Sequence, residues 1–182
     1  MLIRFGTLVA LAIFTATPAK AGVEAVRVGI FAQACCGIGT SKEDGAAFSG
    51  EVAFSSPKFL SVLRSPRPVI GFVVATDSDA TSQIYAGLEW QLDLPAGFFV
   101  STTLGGAVHN GETNFDPVAD FDRVDETNFL GCRGQFRVAG DIGRRIVPGV
   151  NASFHWAHIS NAGLCSVNEG LDHIGLRVSV GF

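Results

Sequence analysis

The sequence predicts an all-β chain: an eight-stranded antiparallel transmembrane β-barrel of the outer membrane. Three observations predict it. The chain is apolar, 47% hydrophobic against 16% charged, yet no stretch after the N-terminal region reaches the roughly 18 consecutive apolar residues of a membrane-crossing helix. It instead divides into eight short segments of alternating polarity, and a closed barrel is the remaining way to satisfy the backbone in lipid. Finally, residues 1–21 read as an export leader: Arg4, the apolar run Leu8 to Phe14, then Ala19-Lys20-Ala21 as a small-x-small cleavage site. Residues 22–182 are then one domain.

Removing the leader takes Arg4 and Lys20 with it, so 11 basic residues face 17 acidic ones and the net charge goes from −4 to −6. That balance excludes a nucleic-acid partner, which needs clustered Lys and Arg for phosphates. The apolar content excludes a disordered chain.

The eight segments fall at 24–33, 46–56, 67–76, 80–93, 97–109, 127–140, 145–160 and 172–182. Turn-forming clusters punctuate them: Ser56-Pro57, Pro66-Arg67-Pro68, Asp77-Ser78-Asp79, Pro95-Ala96-Gly97 and Asp141-Ile142-Gly143. The last strand alternates most clearly, with Ile174, Leu176, Val178, Val180 and Phe182 apolar and His173, Gly175, Arg177, Ser179 and Gly181 small or polar. Segment 80–93 repeats the parity, and 127–140 sets Leu130, Phe136 and Val138 against Arg133, Gln135 and Arg137. Segment 67–76 is apolar on both faces. The polar face carries Arg27, Glu51, Glu89, Arg133, Arg137 and Arg177, the makings of an ion-pair network inside a narrow lumen. Lys58 to Leu63 is expected to form one short helical turn. With a periplasmic N-terminus and eight strands, connections 34–45, 77–79, 110–126 and 161–171 are expected outside the cell. Those at 57–66, 94–96 and 141–144 are expected in the periplasm.

Parity singles out one group of residues. His158 and Ser160 continue the outward series Phe154, Trp156, and Asp172 falls in phase with Ile174 and Leu176 on the next strand. A hydroxyl, an imidazole and a carboxylate thus meet on the outer face at the extracellular end. Polar residues on a lipid face are costly and usually functional. Ser, His and an acid supply a nucleophile, its base, and the group that orients that base. His155 and His173 fall on the lumen face, where structural roles are expected, and His109 precedes the turn signal Asn110-Gly111. The four histidines have no metal-ligand spacing, and neither metal nor cofactor is expected.

The stretch His158-Ile159-Ser160-Asn161-Ala162-Gly163, then Asn168-Glu169-Gly170-Leu171-Asp172 and a closing strand ending in Phe182, resembles the C-terminal signature of outer-membrane lipid A 3-O-deacylases, the PagL-like acyloxyacyl hydrolases. The specific likeness covers residues 158–182. It implies a serine esterase that removes an ester-linked 3-hydroxyacyl chain from lipid A in lipopolysaccharide, at the bacterial outer membrane. Ser160 stands at the nucleophile's position and His158 at the base's. Asp172 stands at the acid's position, where the best-known members carry Glu, one methylene longer. Glu169 is an alternative acid in the adjoining turn. Asn161 and Asn168, with a backbone N–H near Gly163, stand where an oxyanion hole is implied. A non-catalytic structural or adhesive barrel and an esterase for another membrane lipid are the competing readings, and assembly into a homo-oligomer stays open.

The four cysteines, Cys35, Cys36, Cys132 and Cys165, allow three pairings in an oxidising compartment. Joining Cys35 to Cys36 is expected to be strained. A bridge from Cys165 to Cys132 or to the first loop is expected to brace the loop beside Ser160.

Overall fold

The computed structural model describes residues 22–182, so the leader expected over 1–21 lies outside the described residues. Eight strands close on themselves in chain order: β1 Val23–Gln33, β2 Ala46–Phe54, β3 Arg67–Ala75, β4 Gln83–Asp93, β5 Phe98–His109, β6 Gly134–Val147, β7 Val150–Ser160 and β8 Leu171–Gly181. Every neighbouring pair is antiparallel, and β1 pairs with β8 to complete the cylinder. At one rim the strands are joined by two short turns, 94–97 and 148–149, and by the longer connection 55–66. At the other rim stand the connections 34–45 (loop 1), 76–82 (loop 2), 110–133 (loop 3) and 161–170 (loop 4). Short turns at one rim and longer loops at the other are the usual asymmetry of outer-membrane barrels.

One parity governs all eight strands. Odd-numbered residues point inward and even-numbered ones outward, as shown by buried Arg27, Glu51, Val73, Glu89, Thr103, Arg137, His155 and Arg177. The outer wall is apolar, with Val28, Ile70, Ile84, Leu104, Ile142, Phe154 and Leu176 exposed for a lipid solvent to cover. This resolves the doubly apolar third strand: Ile70, Phe72 and Val74 face out, whereas Val69 and Val73 fill the interior.

The interior is layered. In the middle, Arg27 pairs with Glu51 at 2.6 Å and with Glu89, and Arg177 reaches Asp141 at 3.3 Å and Glu51 at 3.4 Å. Tyr85 donates its hydroxyl to Glu51 at 2.9 Å, and the Arg137 guanidinium lies 3.8 Å over the Tyr85 ring. Closer to the long-loop rim an apolar layer of Phe31, Val73, Leu130, Ile159 and Leu171 plugs the cylinder.

Three expectations need correction. The sixth strand runs Gly134–Val147 rather than 127–140, and Asp141-Ile142-Gly143 lies inside it. Asp141 is held there as a lumen acid bonded to His155, Ser153 and Arg177, and the hairpin turns instead at Pro148-Gly149, with Gly149 at φ 78°. That Pro-Gly pair suits a turn needing positive φ at its second central residue. Residues 127–133 therefore belong to loop 3, where Asn128, Phe129 and Leu130 are buried beneath the other loops. Arg133 follows them out of the lumen: it is exposed and donates to the Gly111 carbonyl at 2.5 Å. The expected helical turn forms as a 3₁₀ segment over Lys58–Leu63.

Candidate active site

At the long-loop rim, β7 carries His158 and Ser160 on its outer face, flanked by exposed Phe154 (49%) and half-buried Trp156. Residues i and i+2 of a strand stand about 6.6 Å apart on the same face, so imidazole and hydroxyl project to the same side of the wall. On β8, Asp172 lies directly opposite His158, and Ile174 directly opposite Trp156. Directly paired residues bring their Cβ atoms within about 5 Å, a distance that a short acid spans. The His158 Nδ1 and an Asp172 carboxylate oxygen are 3.0 Å apart. With Nδ1 as donor, Nε2 is the nitrogen left for proton transfer.

Two packing contacts fix the imidazole. The Trp156 indole lies nearly parallel to it, interplanar angle 9° and centroids 6.2 Å apart. Gly170 closes the other approach: a Cβ there would press on the His158 Cε1 and stand 3.0 Å from Nε2.

Asp172 shares the outward phase, yet it is only 1% exposed. Loop 1 folds over the barrel wall and roofs it, with the Gly39 N–H donating to the second carboxylate oxygen. The expectation of an open, lipid-facing acid is thus corrected: His158 retains an edge at the surface and Asp172 retains none. Glu169 is elsewhere. Its carboxylate accepts the Phe129 N–H at 2.9 Å and pairs with Lys42 at 2.5 Å, tying loops 1, 3 and 4 together.

The residues implied for an oxyanion hole separate. Asn161 is 2% exposed, and its Nδ2 donates to the carbonyls of Leu130 at 2.8 Å and Val167 at 2.7 Å. The Gly163 N–H donates to the Asn161 Oδ1 at 2.9 Å, inside a tight turn with Ala162 and Gly163 both at positive φ. These groups are committed to building loop 4. Asn168 accepts the Asn161 N–H on Oδ1 at 3.0 Å, next in the chain to Ser160, and is itself exposed.

The disulfides frame this region. Cys132 joins Cys165, one of the two alternatives open from the sequence, and links the end of loop 3 to loop 4. Cys35 joins Cys36 despite the expected strain, where loop 1 leaves β1 with Ala34 and Cys36 in the left-handed region.

An apolar groove of about 710 Å³ crosses the outer face of β4, β5 and β6 and reaches Asn161, the residue after Ser160. Phe136, the cross-strand partner of Ser160, lines it together with Leu164 and Ile84, and the small residues Ala86, Gly106 and Gly134 keep its floor low. The sequence signal for this groove, small residues at outward positions of three successive strands, went unread because it spans separate segments.

Fold and site together define a barrel of the outer-membrane type with a hydrolase-like His–acid pair on its outer wall. The chain belongs to the lipid A 3-O-deacylase (PagL) family, whose model matches residues 76–181. Among solved structures it is similar to the outer membrane enzyme PagL, at 15% identity and TM-score 0.62, covering 87% of this chain and 99% of that one. A de novo designed transmembrane β-barrel matches at 8% identity and TM-score 0.53, over 90% of this chain and 98% of the other. The N-terminal β-barrel domain of Pseudomonas aeruginosa OprF matches at 11% identity and TM-score 0.51, over 88% and 99%. At these identities the structural likeness speaks for the fold alone. No curated protein matches the chain.

Proposed function

We propose that this protein is a lipid A 3-O-deacylase of the bacterial outer membrane, exported by the leader over residues 1–21. In this reading it hydrolyses the ester-linked 3-hydroxyacyl chain with a Ser160–His158–Asp172 triad. The observation that carries the reading is the His158–Asp172 hydrogen bond on the outer wall, with Ser160 two residues further on and paired across the strands with Phe136 of an apolar groove. Family membership supplies the ester and the substrate class.

The chemistry needs no cofactor. Ser160 Oγ attacks the ester carbonyl while His158 Nε2 takes its proton. Collapse of the tetrahedral intermediate expels the sugar alkoxide, which takes that proton from Nε2, and the acyl group stays on Ser160. Water then attacks the acyl-enzyme, giving its proton to Nε2, and the fatty acid leaves as the serine recovers its hydrogen. Asp172 holds the Nδ1–H tautomer and offsets the positive charge formed on the ring at each step. The Asn168 NH₂ is the oxyanion donor in this reading, and one such donor is worth about 10²–10³ in turnover. The groove receives the acyl chain from the lipid side, so the substrate arrives by lateral diffusion.

Mass spectrometry of lipid A from cells with and without the protein tests the reading. The expected result is loss of the mass of one 3-hydroxyacyl group, reversed when Ser160→Ala replaces the unsubstituted chain. An unchanged profile with folded barrel present would favour a structural or adhesive barrel, or an esterase for another lipid.

A further inference from the structure

We infer that loop 1 is a positioning clasp for the acid: the backbone of Gly37, Gly39 and Thr40 fixes the Asp172 carboxylate against His158 and keeps it dry. The inference rests on the proposed esterase reading and adds to it a part of the chain that the family match, residues 76–181, does not include.

Asp172 uses its two oxygens differently. One accepts from His158 Nδ1, and the other accepts the Gly39 N–H, a contact spanning 133 residues of sequence. Gly37 closes the remaining side. A Cβ built on it would fall 2.5 Å from Oδ2 and closer still to Oδ1 and Cγ, so only a glycine lets the chain approach this near. A Cβ on Gly39 would sit 2.8 Å from Oδ2 and collide with the Gly170 carbonyl. That carbonyl in turn accepts the Thr40 N–H at 3.0 Å, and Gly170 is the residue packed on the His158 ring. The clasp therefore touches the acid directly and reaches the base through Gly170. It is pinned away from the site by the Thr40 hydroxyl donating to Asn128 Oδ1 and by the Lys42–Glu169 ion pair. The Cys35–Cys36 disulfide stands directly before it.

The physical need follows from where Asp172 lies. A carboxylate on the outer wall of a barrel faces hydrocarbon or mobile interfacial water, and either environment leaves its orientation loose. A fixed peptide N–H removes that freedom and completes the hydrogen bonding of the ion, as buried carboxylates require. The fit also explains the short acid. With Gly37 against the carboxylate, a glutamate has no room for its extra methylene.

Purified barrels in detergent are treated with a fluorophosphonate probe, which labels an activated serine by displacement of fluoride. Folding is checked by heat-modifiable gel mobility. The second-order labelling rate at Ser160 is expected to fall fivefold or more in Gly37→Ala and in Gly39→Ala, with kcat for an ester substrate falling in parallel and KM nearly constant. Asp44→Asn, an exposed change in the same loop, is expected to leave both unchanged. Folded glycine variants that label within fivefold of the unsubstituted protein overturn the clasp. Asp172→Glu, which leaves loop 1 intact, provides an independent arm: a fivefold or greater loss supports the clasp, and a smaller one overturns it. If the unsubstituted protein itself fails to label, the esterase reading falls first and the clasp with it, an outcome distinct from the others.

Discussion

Strand β7 carries two serine–histidine pairs, one on each side of the barrel wall, and each meets an aspartate from a neighbouring strand, Asp141 of β6 inside and Asp172 of β8 outside. Inside, Ser153 donates to Asp141 Oδ1 at 2.8 Å, and His155 Nδ1 lies 3.1 Å from Asp141 Oδ2. Outside are Ser160, His158 and Asp172. The inner set is the more fully hydrogen-bonded of the two, and in the proposed reading it is the one without a catalytic role. Its serine is spent on the aspartate rather than free to face the imidazole. His155 Nε2 accepts from Arg177 at 3.1 Å and from Arg137 at 3.4 Å, so the nitrogen a base would use is occupied. Every member is buried. In the outer set the acid alone is buried, Nε2 sits at an edge, and the groove gives a substrate somewhere to lie. Residue types do not distinguish the two sets. The free nitrogen does.

The largest effect should separate the serines. Ser160→Ala is expected to lower turnover by at least about 10³-fold, while Ser153→Ala stays within a few-fold. Comparable losses from both, measured on folded protein with an ester substrate, would erase the distinction. The acids come next. Asp172→Asn should cost about 10³–10⁴-fold, because an amide favours the wrong imidazole tautomer. Glu169→Gln, which only loosens the ties to Phe129 and Lys42, should cost less than about tenfold, as expected for one loop contact. A larger loss at Glu169 would move the acid's role there. The smallest effect on turnover belongs to the lumen. Arg177→Met leaves Asp141 and part of Glu51 uncompensated and should destabilise the barrel by about 3–5 kcal/mol. Denaturant unfolding would register it with kcat nearly unchanged, and a selective loss of kcat would show that the interior network acts on the site.

How much of this was legible in the sequence depended on range. Strand parity is a local property, so the outward phase of His158, Ser160 and Asp172 could be read from Phe154, Trp156, Ile174 and Leu176. The sixth strand slipped because Asp141-Ile142-Gly143 looks like a turn when its lumen partners are unseen. Pro148-Gly149, the real turn, lay unweighed a few residues on. Asn161 looked like an oxyanion donor because its hydrogen bonds to Leu130 and Val167 exist only once loops 3 and 4 have met. The roof over Asp172 was the least legible feature. Nothing in the spacing of Gly37 and Gly39 announces that they will cover a residue from the last strand.

The packed interior has a consequence for permeability. The vestibule at the short-turn rim runs up to Arg27, Asp141 and Arg177, and above them the apolar plug of Phe31, Leu130 and Leu171 closes the way. A cylinder filled in this way is expected to pass neither ions nor solutes, so a planar bilayer containing it should be electrically silent. All traffic with the surroundings then passes around the protein rather than through it. A cell can hold many copies without opening a leak in the very barrier whose lipids the outer wall meets.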